Sequence, residues 1–457
     1  MKQAVQKQKL DMLNGPLWNK IPQFALPVAA TAILEQLFNA SDIAVVGNFS
    51  GAASTIAVAA VGANSFVISL VVNFFIGIAL GANVVIANAI GREDTDAVHR
   101  AVHTAVVVAV LGGVLVTVLG ELVAGPALRA LNVPAEVLPY ALLYLRIYLL
   151  GVPVILLYNF EAAIFRSVGD TRVPLQTLAF SGVLNVLLNL FFVIVLHMTV
   201  NGVATATVLS NAISSVLLFV RLRRSDKAIH LEWAALHIDR RSLQKILQIG
   251  IPAGIQSAVF SISNIVIQSA INSLGTVVMA ASSAAFNIEV VAYDVLNSFS
   301  QACTTFVGQN YGAGKLDRCR KTLVLCLVED ALASGIAILL VLGSGHFLLS
   351  LFNRDPEVIA LGYTRLMTVF TAYFFSMLYE VMSGYLRGFG ISLVPALLTM
   401  LGVCGVRILW IATAFPRSRT FQTILLAYPL SLAATAVLIL LALLIYHPSR
   451  RTKGEAV

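Results

Sequence analysis

Glu35, Asn39 and Asp42 interrupt an otherwise apolar stretch near the start of the 457-residue chain. Their spacings of four and three put all three on one face of a helix. A carboxylate set among aliphatic residues binds a proton, a metal cation or a cationic ligand, or it pairs with a base. A second apolar stretch carries Asn185 and Asn189, one helical turn apart. Asp42 and Asn189 each fall about 8–10 Å, at helical rise, from the same end of their stretches, so they can meet at one depth. In the other half of the chain Ser257, Ser261, Asn264 and Gln268 form a stripe beside Gln256, followed by Asn287, Glu289, Tyr293, Asp294, Asn297 and Gln301. Gln256, Asn264, Glu289 and Asp294 are the candidates there for lining a cavity that attracts a cation, although Glu289 and Asp294 do not share a face.

These residues sit in an unusual background. The chain is 58% hydrophobic and 11% charged, with a mean hydropathy of +0.88. Soluble domains carry about 25% charge, so this surface cannot be solvated by water alone. That excludes a cytosolic enzyme, a secreted disulfide scaffold and a disordered protein. About twelve continuous apolar segments are expected, near 21–47, 56–82, 98–124, 137–160, 173–196, 202–222, 244–272, 276–306, 320–345, 358–383, 391–414 and 421–446. Continuous rather than alternating runs mean helices, not barrel strands, because lipid leaves no unpaired backbone.

About three-quarters of the Lys and Arg residues fall before the first span, in every second loop thereafter, or at the end of the chain, which puts both termini on the cytoplasmic side. They include Lys2, Lys7, Lys9 and Lys20, Arg166 and Arg172, Lys315 and Arg318, and Arg450, Arg451 and Lys453. Scattered over short loops, they give a net charge of +8 without a nucleic-acid face. The first apolar stretch is too long for a signal peptide and is expected to remain as a span. The glycine-bearing segment VGQNYGAGK lacks the Ser or Thr of a P-loop and follows a helix, so no nucleotide site is expected. The seven His and four Cys form no metal-ligand or catalytic pattern. Glu161 and Glu380 are expected to pair with the nearby Arg166 and Arg387. Arg146, Arg365 and Arg407 are expected to snorkel or pair near span ends.

The halves repeat. Gly91 and Gly312, Glu136 and Glu357, Arg166 and Arg387, Gly169 and Gly390, and Pro174 and Pro395 are each 221 residues apart, and Pro27 matches Pro252 with a small slip. Six spans per half make the repeats parallel, as in some secondary transporters. The expected domains are 1–222, a charged linker at 223–243, and 244–457. Pro27 removes a helix hydrogen bond below Asp42 and is the candidate hinge.

The segments LFNASDIAVVG, FRSVGDTRVP, VGQNYGAGK and LRGFGISLVP, in order at span boundaries, resemble signature segments of the multidrug and toxic compound extrusion (MATE) family, and the resemblance runs through nearly the whole chain. It implies an all-α integral membrane protein of two six-helix lobes arranged as a V. It also implies an antiporter of the inner membrane, working as a monomer without resident cofactor, that expels organic, often cationic amphipathic compounds against inward protons or sodium. The family's cation site implies coupling at Asp42, with Asn39, Asn185 and Asn189 around it and Glu35 as a second acid. Where the family usually has an Asp, this chain has Asn189, which favours a single-carboxylate proton site over sodium. A lipid-linked saccharide flippase of the same wider superfamily is the alternative.

Overall fold

The computed structural model describes residues 10–51, 54–131, 133–225 and 228–448. Lys2, Lys7, Lys9, Arg450, Arg451 and Lys453, used above for orientation, lie outside the described residues. Among the described residues twelve helices are long and apolar enough to cross a membrane. They are α1 (Lys20–Phe49), α2 (Ser54–Gly91), α3 (Thr95–Ala130), α4 (Leu138–Ser167), α5 (Arg172–Val195), α6 (Val200–Arg223), α7 (Arg240–Asn272), α8 (Thr276–Gly312), α9 (Leu316–Ser350), α10 (Pro356–Gly388), α11 (Leu393–Thr413) and α12 (Phe421–Tyr446). No strand occurs among the described residues. Each expected apolar segment coincides with one helix. Several helices exceed the roughly 20 residues that span hydrocarbon, because polar residues at their ends continue the backbone pattern beyond the apolar stretch.

The helices fold as two compact units: residues 30–250 in one, residues 10–29 with 251–448 in the other. Chain order therefore does not follow the boundaries read from the charged linker. The start of α1 belongs to the second unit because Met12, Ile21, Phe24 and Ala25 are buried in one apolar cluster with Phe299, Phe306 and Val307. Lys20, Lys315 and Arg318 hold the preceding turn through the carbonyls of Asp11, Leu13 and Asn14. Asp11 closes this turn by accepting from the Leu13 and Asn14 amides, at 2.9 and 3.1 Å. Burial works against its charge, but these bonds, with Asn14's side chain and Lys20, hold its carboxyl below the ordinary value. The linker belongs to the first unit: Ile229 and Leu231 are buried, the Glu232 amide donates to His103 Nε2, and the Asp239 amide donates to Thr104. The matched prolines Pro27 and Pro252 thus lie within three residues of the points where α1 and α7 pass from one unit to the other.

The duplication is visible in backbone geometry. Gly169 and Gly390, 221 residues apart, have φ of 80° and 84° and end α4 and α10 with the same pair of bonds. Gly169 N donates to Arg166 O and Asp170 N to Phe165 O, as Gly390 N does to Arg387 O and Ile391 N to Leu386 O. This is a glycine cap, which needs φ > 0. The next matched turn places Glu93, φ 57°, where the second repeat has Gly314, φ 72°.

Inside each unit small residues let helices touch. Gly384 and Gly388 of α10 face α8, where Ser300 and Thr304 hydroxyls donate to the Glu380 and Gly384 carbonyls at 2.8 and 3.0 Å. Small residues and hydroxyl bonds are the usual cohesion of helices in lipid, where apolar burial gives no net drive.

Candidate functional site

Asp42 lies about two turns before the end of α1 and is 6% exposed. Its Oδ1 accepts from Asn189 Nδ2 at 2.6 Å and its Oδ2 from Thr207 Oγ1 at 2.9 Å. Asn189 spends its second amide hydrogen on Asn185 Oδ1 at 3.2 Å. Among the described residues no Lys, Arg or His pairs with Asp42, and Asn189 Oδ1 is buried without a donor. The cluster holds a surplus of acceptor oxygens around one buried carboxylate. Such a set can take up a small cation. Tyr144 and Tyr148 of α4 lie within Coulombic range of the carboxylate.

The local sequence explains the placement. Asn185 and Asn189 share a face of α5, whose α-helical hydrogen bonding ends one residue later, at Leu190, and continues as a π-helical turn through Val195. Thr207 stands on α6 and escapes a reading of the sequence alone. A Thr in an apolar helix is common, and only its spacing of four from Asn211 hints at a polar face.

The structure brings Asp42, Asn185 and Asn189 together but not Asn39, which is exposed and makes no bond to Asp42. Glu35 is half-buried and within Coulombic range of Arg166, Tyr148 and Tyr158. In the second unit Gln256 is buried and accepts from Arg387 Nη2 at 2.9 Å, whereas Asn264 is exposed. Asp294 is half-buried, with one carboxylate oxygen buried and unpartnered among the described residues. Glu289 is fixed in a two-pronged ion pair with Arg365, Nε to Oε1 at 2.7 Å and Nη2 to Oε2 at 2.9 Å.

Of the two expectations for Arg365, pairing holds and snorkelling does not: beside its ion pair with Glu289 it is 2% exposed, also donates to Ser282 and Tyr428, and lies over the Tyr428 ring. Arg407 is buried as well, donating to Ser431 and stacking 4.5 Å from the same ring centre. Both find aromatic and hydroxyl partners inside the unit, which removes the need to reach headgroups. Arg146 does pair, with Glu121 at 3.4 Å. Glu161 accepts from Ser215, and Glu380 accepts from Tyr293 rather than Arg387.

Two compact units with matching turns, twelve membrane-length helices and a buried polar site within one of them define a duplicated, multi-pass membrane transporter. The family model described as MatE matches residues 27–191 and 252–412, one stretch in each repeat, and the chain belongs to the MatE family. It is similar to the "Probable multidrug resistance protein NorM" of Thermotoga maritima, 26% identical over 445 residues that cover 95% of this chain and 93% of that one. The "Probable multidrug resistance protein YoeA" of Bacillus subtilis is 25% identical over 401 residues, 86% of each chain. Among solved structures, "Outward-facing conformation of a multidrug resistance MATE family transporter of the MOP superfamily" matches with a TM-score of 0.89 at 19% identity. It covers 98% of this chain and 99% of that chain, a likeness of fold.

Proposed function

We propose that the protein is a secondary antiporter that exports organic, cationic amphipathic compounds in exchange for inward protons by alternating access, with both termini cytoplasmic in the inner membrane. The observation that carries this reading is Asp42, a buried carboxylate with hydrogen-bond donors but no basic partner among the described residues. The multidrug names of its relatives support the substrate class.

Thr207 lets the carboxylate take a proton without losing a hydrogen bond. Its hydroxyl lies 2.9 Å from Asp42 Oδ2 and 3.0 Å from the Val203 carbonyl. When Oδ2 takes a proton, the Thr207 hydrogen turns to Val203 O and its oxygen accepts from the new O–H, so no hydrogen bond is lost. Asn189 keeps Oδ1 in place through the exchange. Loading thus removes a charge from α1 without dismantling the site. Pro27, which leaves the Gln23 carbonyl without its helical donor, lets α1 change shape in response.

The test is efflux of a fluorescent cation from everted vesicles, with the proton gradient collapsed or sodium added and removed. Collapse stops export, and Asp42→Asn stops it at normal expression. Export that ignores both gradients refutes antiport, and dependence on sodium alone moves the coupling ion from proton to sodium.

A further inference from the structure

The second unit holds a buried pair of acids that the Asp42 site does not use. Asp330 stands 14 residues into α9, about 21 Å along a helix of about 52 Å. Apart from Glu329 beside it, its neighbours along the helix are apolar (CLV before, ALASGIAILL after), and it is 0% exposed. Oδ1 accepts from Ser334 Oγ at 2.6 Å, one turn on, while Oδ2 is buried with no partner among the described residues. Glu380 of α10, 4% exposed, lies within Coulombic range, and its Oε1 accepts from the Tyr293 hydroxyl of α8 at 3.0 Å.

Neither acid forms an ion pair among the described residues. The titratable groups gathered on them from the packed helices are Tyr293 and Cys303 of α8, Cys326 and Glu329 of α9, and Tyr379 of α10. None is a base; the Arg407 guanidinium is in range of Tyr379. An ionised carboxylate costs about 2.5–3.5 kcal/mol at mid-membrane, and a second acid within Coulombic range adds to that cost. A proton on one of them relieves both costs. Asp330 Oδ2 is the oxygen that can take one without displacing an existing donor.

We propose that Asp330 and Glu380 form a second proton-binding site, in the second unit, with the exchangeable proton on Asp330 Oδ2. Binding converts carboxylate and hydronium to carboxylic acid and water; nothing is oxidised or reduced. The site is complete within its own unit and does not depend on the role given to Asp42.

The test is pH-difference infrared spectroscopy of the purified full-length protein in lipid, over about pH 5 to 9, a range that brackets ordinary and buried carboxyls. A protonated-carboxyl C=O band titrates in the wild type, persists in Asp42→Asn, and is lost in Asp330→Asn. Glu380→Gln leaves Asp330 in place but displaces the midpoint of its band, because the neighbouring charge is gone. This variant keeps the test decisive if Asp330→Asn does not fold. An Asp330→Asn spectrum identical to wild type overturns the proposal, as does a midpoint indifferent to Glu380→Gln. So does a band that never titrates, which marks a permanently neutral structural acid. Failure of efflux coupling at Asp42 leaves all these readings unchanged.

Discussion

Replacing Glu289 by Gln separates a structural ion pair from a ligand site. Glu289 supplies two of the four hydrogen bonds that Arg365 makes, the others going to Ser282 at 2.7 Å and Tyr428 at 3.2 Å. The guanidinium is too deeply buried for water to replace the lost charge. Breaking one side of such a pair costs about 3–5 kcal/mol, whereas removing both charges together is often close to neutral. At about 2–4 °C per kcal/mol for a unit of this size, Glu289→Gln lowers the melting temperature by roughly 10 °C. Adding Arg365→Met to the same chain recovers most of the loss. Thermal unfolding in detergent, followed by tryptophan fluorescence, reads the second unit through Trp410, which donates to Thr423 O within it. The double variant is expected to export like wild type. If Glu289→Gln melts within about 1 °C of wild type but no longer binds a cationic substrate, Glu289 is a ligand group and the structural reading fails.

Three further outcomes follow from the same geometry. Thr207→Val deletes the donor at Asp42 Oδ2 and lowers proton-driven efflux roughly tenfold, the equivalent of about 1.4 kcal/mol, while Thr207→Ser retains it; vesicle assays at matched expression read the difference. Glu93→Gly relieves a left-handed backbone (φ 57°) and raises unfolding stability by up to about 1 kcal/mol, measured as a melting shift. Asp239→Ala removes the cap of α7, in which Asp239 Oδ2 accepts from the Ser242 amide at 2.8 Å, and costs about 1 kcal/mol. Bonds from Ser242's side chain and amide hold the Asp239 carboxyl below its ordinary value, so its contribution is present above that ordinary value and lost as pH falls through the depressed one. The wild-type and Asp239→Ala melting curves therefore converge in acid.

Composition and spacing determined a good deal on their own. Twelve spans are legible because lipid demands about 20 apolar residues of every crossing helix, and the repeat is legible because turns need glycine or proline at fixed places, as at Gly169 and Gly390. Asp42, Asn185 and Asn189 are legible because a polar group in an apolar helix is costly enough to be conspicuous. Helical spacing, however, gives a face and not its neighbour. Asn39 shares a helix and an approximate face with Asp42 yet is exposed, and Thr207, ordinary in sequence, completes the site from α6. The long-range pairings Arg365 with Glu289 and Glu380 with Tyr293 join residues 76 and 87 positions apart, and local proximity pointed Glu380 instead to Arg387. The passage of residues 10–29 into the second unit was hidden for the same reason: Phe24 and Phe306 choose each other by shape and burial across hundreds of residues, which no local pattern encodes.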